Sequence, residues 1–220
     1  MVLHVLRVWV PDRPGALGAV ASRIGAVRGD LVGIEILERG VGRAIDELVI
    51  DLPDAELVDL LVSEVAEVDG VDVEDVRRVD DELVDPRLDA LEIAAELVAH
   101  AGVSSLLDGF AMAAVRAFRA DWAAVVEPGA TQPDAIVGPA PEAVWLSAFL
   151  VGSEASPAAA DSGNGAHDVA WARMTSSGRA IVLGRSGRPW HFKERRQLDA
   201  LARIADSRWV ELSAKAIPTS

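Results

Sequence analysis

From Val2 to Val10 the chain is mostly apolar and β-branched, and beyond Pro11-Asp12-Arg13-Pro14-Gly15 apolar residues recur at spacings of three and four, at Leu17, Val20, Ala21 and Ile24. The first pattern predicts a strand and the second predicts one face of a helix. Leu31 to Leu37 then alternates as a second strand, Arg39-Gly40-Val41-Gly42-Arg43 marks a hairpin turn, and Ala44 to Asp51 reads as the returning strand. Leu52-Pro53-Asp54 announces a helix whose stripe is Leu57, Leu60, Leu61 and Val65, Asp69-Gly70 stops it, and Val71, Val73 and Val76 suggest a last short strand. Two helices on one face of an antiparallel sheet, in the order βαββαβ, is the ferredoxin-like arrangement, and no long structureless loop is needed to make it.

The charged stretch Val79 to Asp85 ends at Pro86, so residues 81–86 read as a linker between a domain spanning 1–80 and a second spanning 87–216. In the second, Leu88, Leu91, Ala95, Val98 and Ala99 form a helical stripe, Gly102-Val103-Ser104 breaks it, and Leu106, Leu107, Phe110, Val115 and Phe118 carry a second helix. Asp121 to Glu127 and Ala143 to Val151 are strand-like. The Ser-, Ala- and Gly-rich stretch 152–168 has hardly an apolar anchor and reads as a flexible loop. Val169 to Met174 and Arg179 to Gly184 predict a hairpin across Ser176-Ser177-Gly178, and a closing helix runs from about Lys193 to Leu212 with Leu198, Leu201, Ile204 and Trp209 inward. The fold class is α+β, in two domains.

The junction between the first strand and first helix carries the most chemistry. Asp12 is a candidate cap, Pro14 is tolerated in a first turn, and Gly15 has no Cβ to hold a ligand away from the backbone. Unpaired N–H groups at a helix start carry about half a positive charge and suit a carboxylate. The same Asp-Arg-Pro-Gly run also serves as a plain turn, and the domain-scale pattern around it favours the binding reading. On Asp12-Arg13-Pro14-Gly15-Ala16-Leu17, and on the Gly42 to Asp51 strand, residues 1 to about 80 resemble the ACT domain, an amino-acid-sensing regulatory module. The resemblance implies that Asp12, Arg13, Pro14, Gly15, Ala16 and Leu17 form a ligand loop for a small-molecule effector, an amino acid, and that two copies pair as a homodimer. Ala16 departs from that pattern, where a larger apolar residue is often found. A bound amino acid also needs acceptors for its ammonium group: Glu35 reads either as such a partner or as a solvent-facing strand residue, and Trp9 either as a wall of the site or as core.

Arg179-Ala180-Ile181-Val182-Leu183-Gly184-Arg185, Pro189-Trp190-His191-Phe192, Glu194 and Leu198-Asp199-Ala200-Leu201-Ala202 resemble the last strand, aromatic loop and terminal helix of a GAF domain, so the second half is expected to be GAF-like. Arg185, Arg188, His191, Lys193, Arg195 and Arg196 read either as a solvated loop and helix start or as the lining of an anion site.

Composition narrows the classes. The chain has 220 residues and no Cys, which excludes disulfides, thiolate nucleophiles, zinc-thiolate sites and a thioether-linked chromophore. Its net charge of −14 is concentrated between Asp51 and Glu96, where seventeen acidic residues face Arg77, Arg78 and Arg87. That stretch repels phosphate backbones, so no nucleic-acid partner is expected. No signal peptide and no membrane-length apolar run is evident, and a cytoplasmic location follows as an expectation. His4, His100 and His167 stand isolated, and no nucleophile elbow, phosphate loop or dinucleotide fingerprint is found. The expectation is therefore a non-enzymatic regulator with no cofactor and no metal. Its competitors are a dimerisation module without a ligand and an enzyme without a recognisable motif.

Overall fold

The computed structural model describes residues 2–40, 42–79, 86–155 and 168–216. The chain divides into two compact units that part between Asp85 and Pro86, and each contains a four-stranded antiparallel sheet.

In the first unit the elements follow as β1 (Val2–Pro11), α1 (Ala16–Ala26), β2 (Asp30–Gly40), β3 (Arg43–Leu52), α2 (Val58–Ala66) and β4 (Asp72–Arg78), with sheet order β2-β3-β1-β4. This is the ferredoxin-like βαββαβ topology that the periodicity predicts. The register of β1 on β3 runs unbroken from Val2↔Leu52 to Pro11↔Arg43, so residues of equal parity share a face. Leu6, Val8 and Val10 therefore stand with Leu48, Ile50 and Leu52 against Ala16, Val20 and Ile24 of α1 and Leu61 and Val65 of α2. The opposite face holds charges instead: Arg7 donates to Glu47 through Nε and Nη2 at 3.1 and 2.8 Å and lies 3.5 Å from Glu74, while Arg77 reaches Glu47 at 3.4 Å. Every residue from His4 to Val8 is buried, which is why β1 reads as a continuous run rather than an alternation.

Helix α2 is preceded by a 3-10 turn at Ala55–Leu57, where the Asp54 carboxylate accepts the Glu56 N–H at 3.0 Å. Its buried stripe centres on Leu61 and Val65, and Leu60 is exposed rather than inward. Adjacent helical residues are separated by about 100°, so Leu60 cannot face the sheet when Leu61 does.

The second unit runs α3 (Pro86–Ala99), α4 (Val103–Phe118), β5 (Trp122–Val126), β6 (Ala135–Val137), α5 (Ala143–Ala155), β7 (Val169–Met174), β8 (Arg179–Gly184) and α6 (Phe192–Ala216), with sheet order β6-β5-β8-β7. Ala123, Val125, Ile181 and Leu183 meet α3, α4 and α6 on one face, and Ala124, Val126, Ala180 and Val182 meet Leu146 and Leu150 of α5 on the other. The sheet is thus covered on both sides. Three expectations fail here. The inward positions of α3 are Ile93 and Leu97, while Leu88, Leu91, Ala95, Val98 and Ala99, the expected stripe, are all exposed. Ala143 to Val151 is helix, not strand: its β-branched and aromatic content suggests a strand, but Ala143, Leu146 and Leu150 are buried at helical spacing. Residues 152–155 complete that helix rather than opening a loop, Asp168 is a turn residue just before β7, and 156–167 of the expected loop lie outside the described residues, as does the connector 80–85.

Candidate functional site at the start of the first helix

Strand β1 ends opposite the start of β3, and the chain is tied there at once: the Asp12 N–H donates to Gly42 O at 2.9 Å and the Arg13 N–H turns back to Pro11 O at 2.8 Å. Gly15 then takes φ 87° and ψ −13°, the left-handed region, and serves as the N-cap of α1. Nothing lies within 4 Å of where a Cβ would sit, so the backbone angle and not space calls for glycine. This corrects the role expected of Asp12, whose carboxylate makes no capping bond; it meets Arg39 at 3.6 Å.

The main-chain donors sort into two groups. The Ala16 N–H donates to Arg13 O at 3.3 Å, and Pro14 has none to offer. The N–H groups of Gly15, Leu17 and Gly18 have no hydrogen-bond partner among the described residues. They sit at an exposed helix start, where the macrodipole favours an anion. The side chains of Ala16 and Leu17 belong to the core, so these two residues present only backbone to the loop. Arg13 is exposed and lies 3.7 Å from Asp69.

One charged residue here escaped the reading of the loop. Along β3 the face toward α1 reads Ala44, Asp46, Leu48, Ile50 and Leu52, with Asp46 paired across from Val8 and Ile36. Asp46 is 4% exposed, and its Oδ1 is enclosed without a hydrogen-bond partner. Burial drives its carboxyl above the ordinary aspartate value, the neighbouring Arg39 opposes that shift, and Asp12 adds to it. The signal was available: Asp46 is the one charged position in an otherwise apolar period-two stripe.

Two other expected participants are elsewhere. Glu35 pairs across from Glu47, and Trp9 across from Ile45, both on the sheet face away from α1. Trp9 is half-buried, with Nε1 donating to Glu74 at 2.8 Å and Arg43 over its ring at 5.4 Å. In the second unit, Arg185 is neither solvated nor open to an anion. It is 2% exposed, its guanidinium donates to both Glu194 oxygens at 2.8 and 2.7 Å and to the carbonyls of Phe118, Arg188 and Pro189, and it lies over Trp190 at 4.1 Å. Its donors are all consumed in tying α4, β8 and α6 together.

Residues 4–70 match the family model of the ACT domain. No curated protein matches the chain. Among solved structures, the ACT domain of a GTP pyrophosphokinase from Chlorobium tepidum is 19% identical, with 36% of this chain and all of that one covered, at a TM-score of 0.29. An unknown protein from Galdieria sulphuraria is 14% identical over 46% of this chain and 65% of its own, at 0.32. A formyltetrahydrofolate deformylase from Pseudomonas putida KT2440 is 14% identical over 44% of this chain and 38% of its own, at 0.30. At these scores the structural likenesses add nothing to the family match of residues 4–70.

Proposed function

With residues 4–70 an ACT domain by family match, a module that commonly binds small regulatory molecules, we propose that this protein is a non-enzymatic cytoplasmic regulator whose first unit binds an amino acid at the start of α1 and passes its occupancy on through a homodimer. One observation carries the reading: the amides of Gly15, Leu17 and Gly18 stand without partners among the described residues at an exposed helix start, where no preceding turn supplies them with acceptors and the cap, Gly15, has no side chain to do so. Such a cradle takes a carboxylate. The pairing of two copies is supported by β2, an edge strand that leaves Val32, Ile34 and Ile36 between 43% and 48% exposed. An open edge with an apolar surface favours strand addition by a second chain. A GAF-like second unit is part of the same reading, supported by its antiparallel sheet between helices.

The test is thermal unfolding of the full chain with each common amino acid in turn. A ligand at about a hundredfold excess over Kd stabilises the native state by about 2.7 kcal/mol, which moves the midpoint measurably. At least one amino acid is expected to do so for the wild type and none for Gly15→Asp, which sets a negative charge beside the ligand's carboxylate; because the left-handed angle strains any side chain there, the variant is judged by its shift on adding ligand and not by its own midpoint. A flat response of the wild type to every amino acid leaves a dimerisation module and no sensor.

A further inference from the structure

A buried carboxylate that bonds to nothing costs stability, because desolvation is uncompensated. Asp46 is in that state: it makes no hydrogen bond or ion pair among the described residues, and only 4% of its surface is exposed. Its position gives the cost a use. It shares the sheet face of Val8 and Val10, against which Ala16 in the first turn of α1 packs, and it feels the charges of Arg39 and Asp12, which pair with each other at 3.6 Å beside the loop. One end of this sheet face therefore holds unpaired amides and the Arg39 cation, which suit a carboxylate, and an unpaired carboxylate, which suits a cation.

We propose that Asp46 is the ammonium-binding residue of the α1 site, so that the site selects zwitterions, molecules bearing a carboxylate and a protonated amine a few bonds apart, over simple carboxylic acids. This rests on the proposed function and adds what that reading leaves open, the group that recognises the amine. A hydrogen-bonded carboxylate–ammonium pair at a desolvated site discriminates strongly, since a ligand without the amine leaves Asp46 as unsatisfied as before. Arg39, which now faces Asp12, turns to the ligand's carboxylate in this arrangement.

The experiment measures binding by calorimetry on the full chain, using the amino acid that stabilises the wild type most, and then the acid of the same carbon skeleton lacking the α-amino group. The wild type is expected to bind the amino acid and to bind its des-amino counterpart about 10- to 100-fold more weakly. In Asp46→Asn, an isosteric change, affinity for the amino acid is expected to fall by a similar factor while affinity for the des-amino acid holds, which erases the preference. Arg39→Gln serves as the second variant and is expected to weaken both ligands together. A wild type and an Asp46→Asn that discriminate equally overturn the assignment of Asp46 while leaving an amino-acid site standing. A wild type that binds no amino acid overturns both.

Discussion

The burial of Asp46 has a signature in stability that does not depend on binding. Its carboxyl is held above the ordinary aspartate value by burial, which means that the native chain keeps its proton to a higher pH than the unfolded chain does. Stability from this group is therefore at its highest below about pH 4, falls as the unfolded state ionises first, and levels off once native Asp46 has ionised too. Asp46→Asn removes that loss. The variant is expected to melt above the wild type at neutral pH, with the difference shrinking toward pH 4, as thermal unfolding across a pH series measures. Gly15 belongs to the same scale. Its identity was legible as a glycine between a proline and a helix, whereas its left-handed angle, and the loss of the Ala16 amide to Arg13, depend on how the turn closes and are invisible in a tetrapeptide.

Among the elements, the β7–β8 hairpin shows how a turn is fixed from outside itself. Asp206 of α6 accepts the Ser176 N–H at 2.7 Å and the Ser177 N–H at 2.9 Å, one on each carboxylate oxygen. Desolvation pushes the Asp206 carboxyl up, but these bonds from the Ser176 and Ser177 backbone and side chains outweigh it and hold the group below its ordinary value. The sign is opposite to that of Asp46: the contribution is complete above the unfolded value of about 4 and is lost as pH falls through the native one. Asp206→Asn is expected to cost about 1–3 kcal/mol in denaturant unfolding at pH 7, with the gap closing in acid. The hairpin itself is legible from alternation about Ser176-Ser177-Gly178, but its anchor is not, since Asp206 lies about thirty residues on and looks like any charged position of an amphipathic helix. Helix α5 fails for a related reason. Its Val, Trp and Phe content favours a strand locally, and only the presence of a sheet face lined by Ala124, Val126, Ala180 and Val182 makes burial at helical spacing the better solution.

For the molecule as a whole, the exposed apolar edge is the feature with the clearest consequence. Ile34 is 48% exposed and Ile36 43% exposed on β2, and neither contributes to the first unit's core. A charge placed there leaves the fold intact and opposes edge pairing. Ile34→Lys is expected to turn the homodimer of the proposed function into a monomer in sedimentation equilibrium while far-ultraviolet circular dichroism stays unchanged; an unaltered mass moves the pairing surface away from β2. Among the described residues no helix is long and apolar enough to cross a membrane.

The amino-acid sequence alone determined the order of elements in the first unit, its ferredoxin-like topology and the place of a helix start suited to an anion, because hydrophobic period and turn chemistry are local properties of the chain. Tertiary structure decided the rest: which amides stay unpaired, that Glu35 and Trp9 face away from α1, that Arg185 is enclosed by Glu194 and three carbonyls, and that Asp46 is buried alone beside the loop. Each of these depends on partners brought together across a sheet or between helices, and the desolvation that gives them their chemistry exists only once that packing has formed.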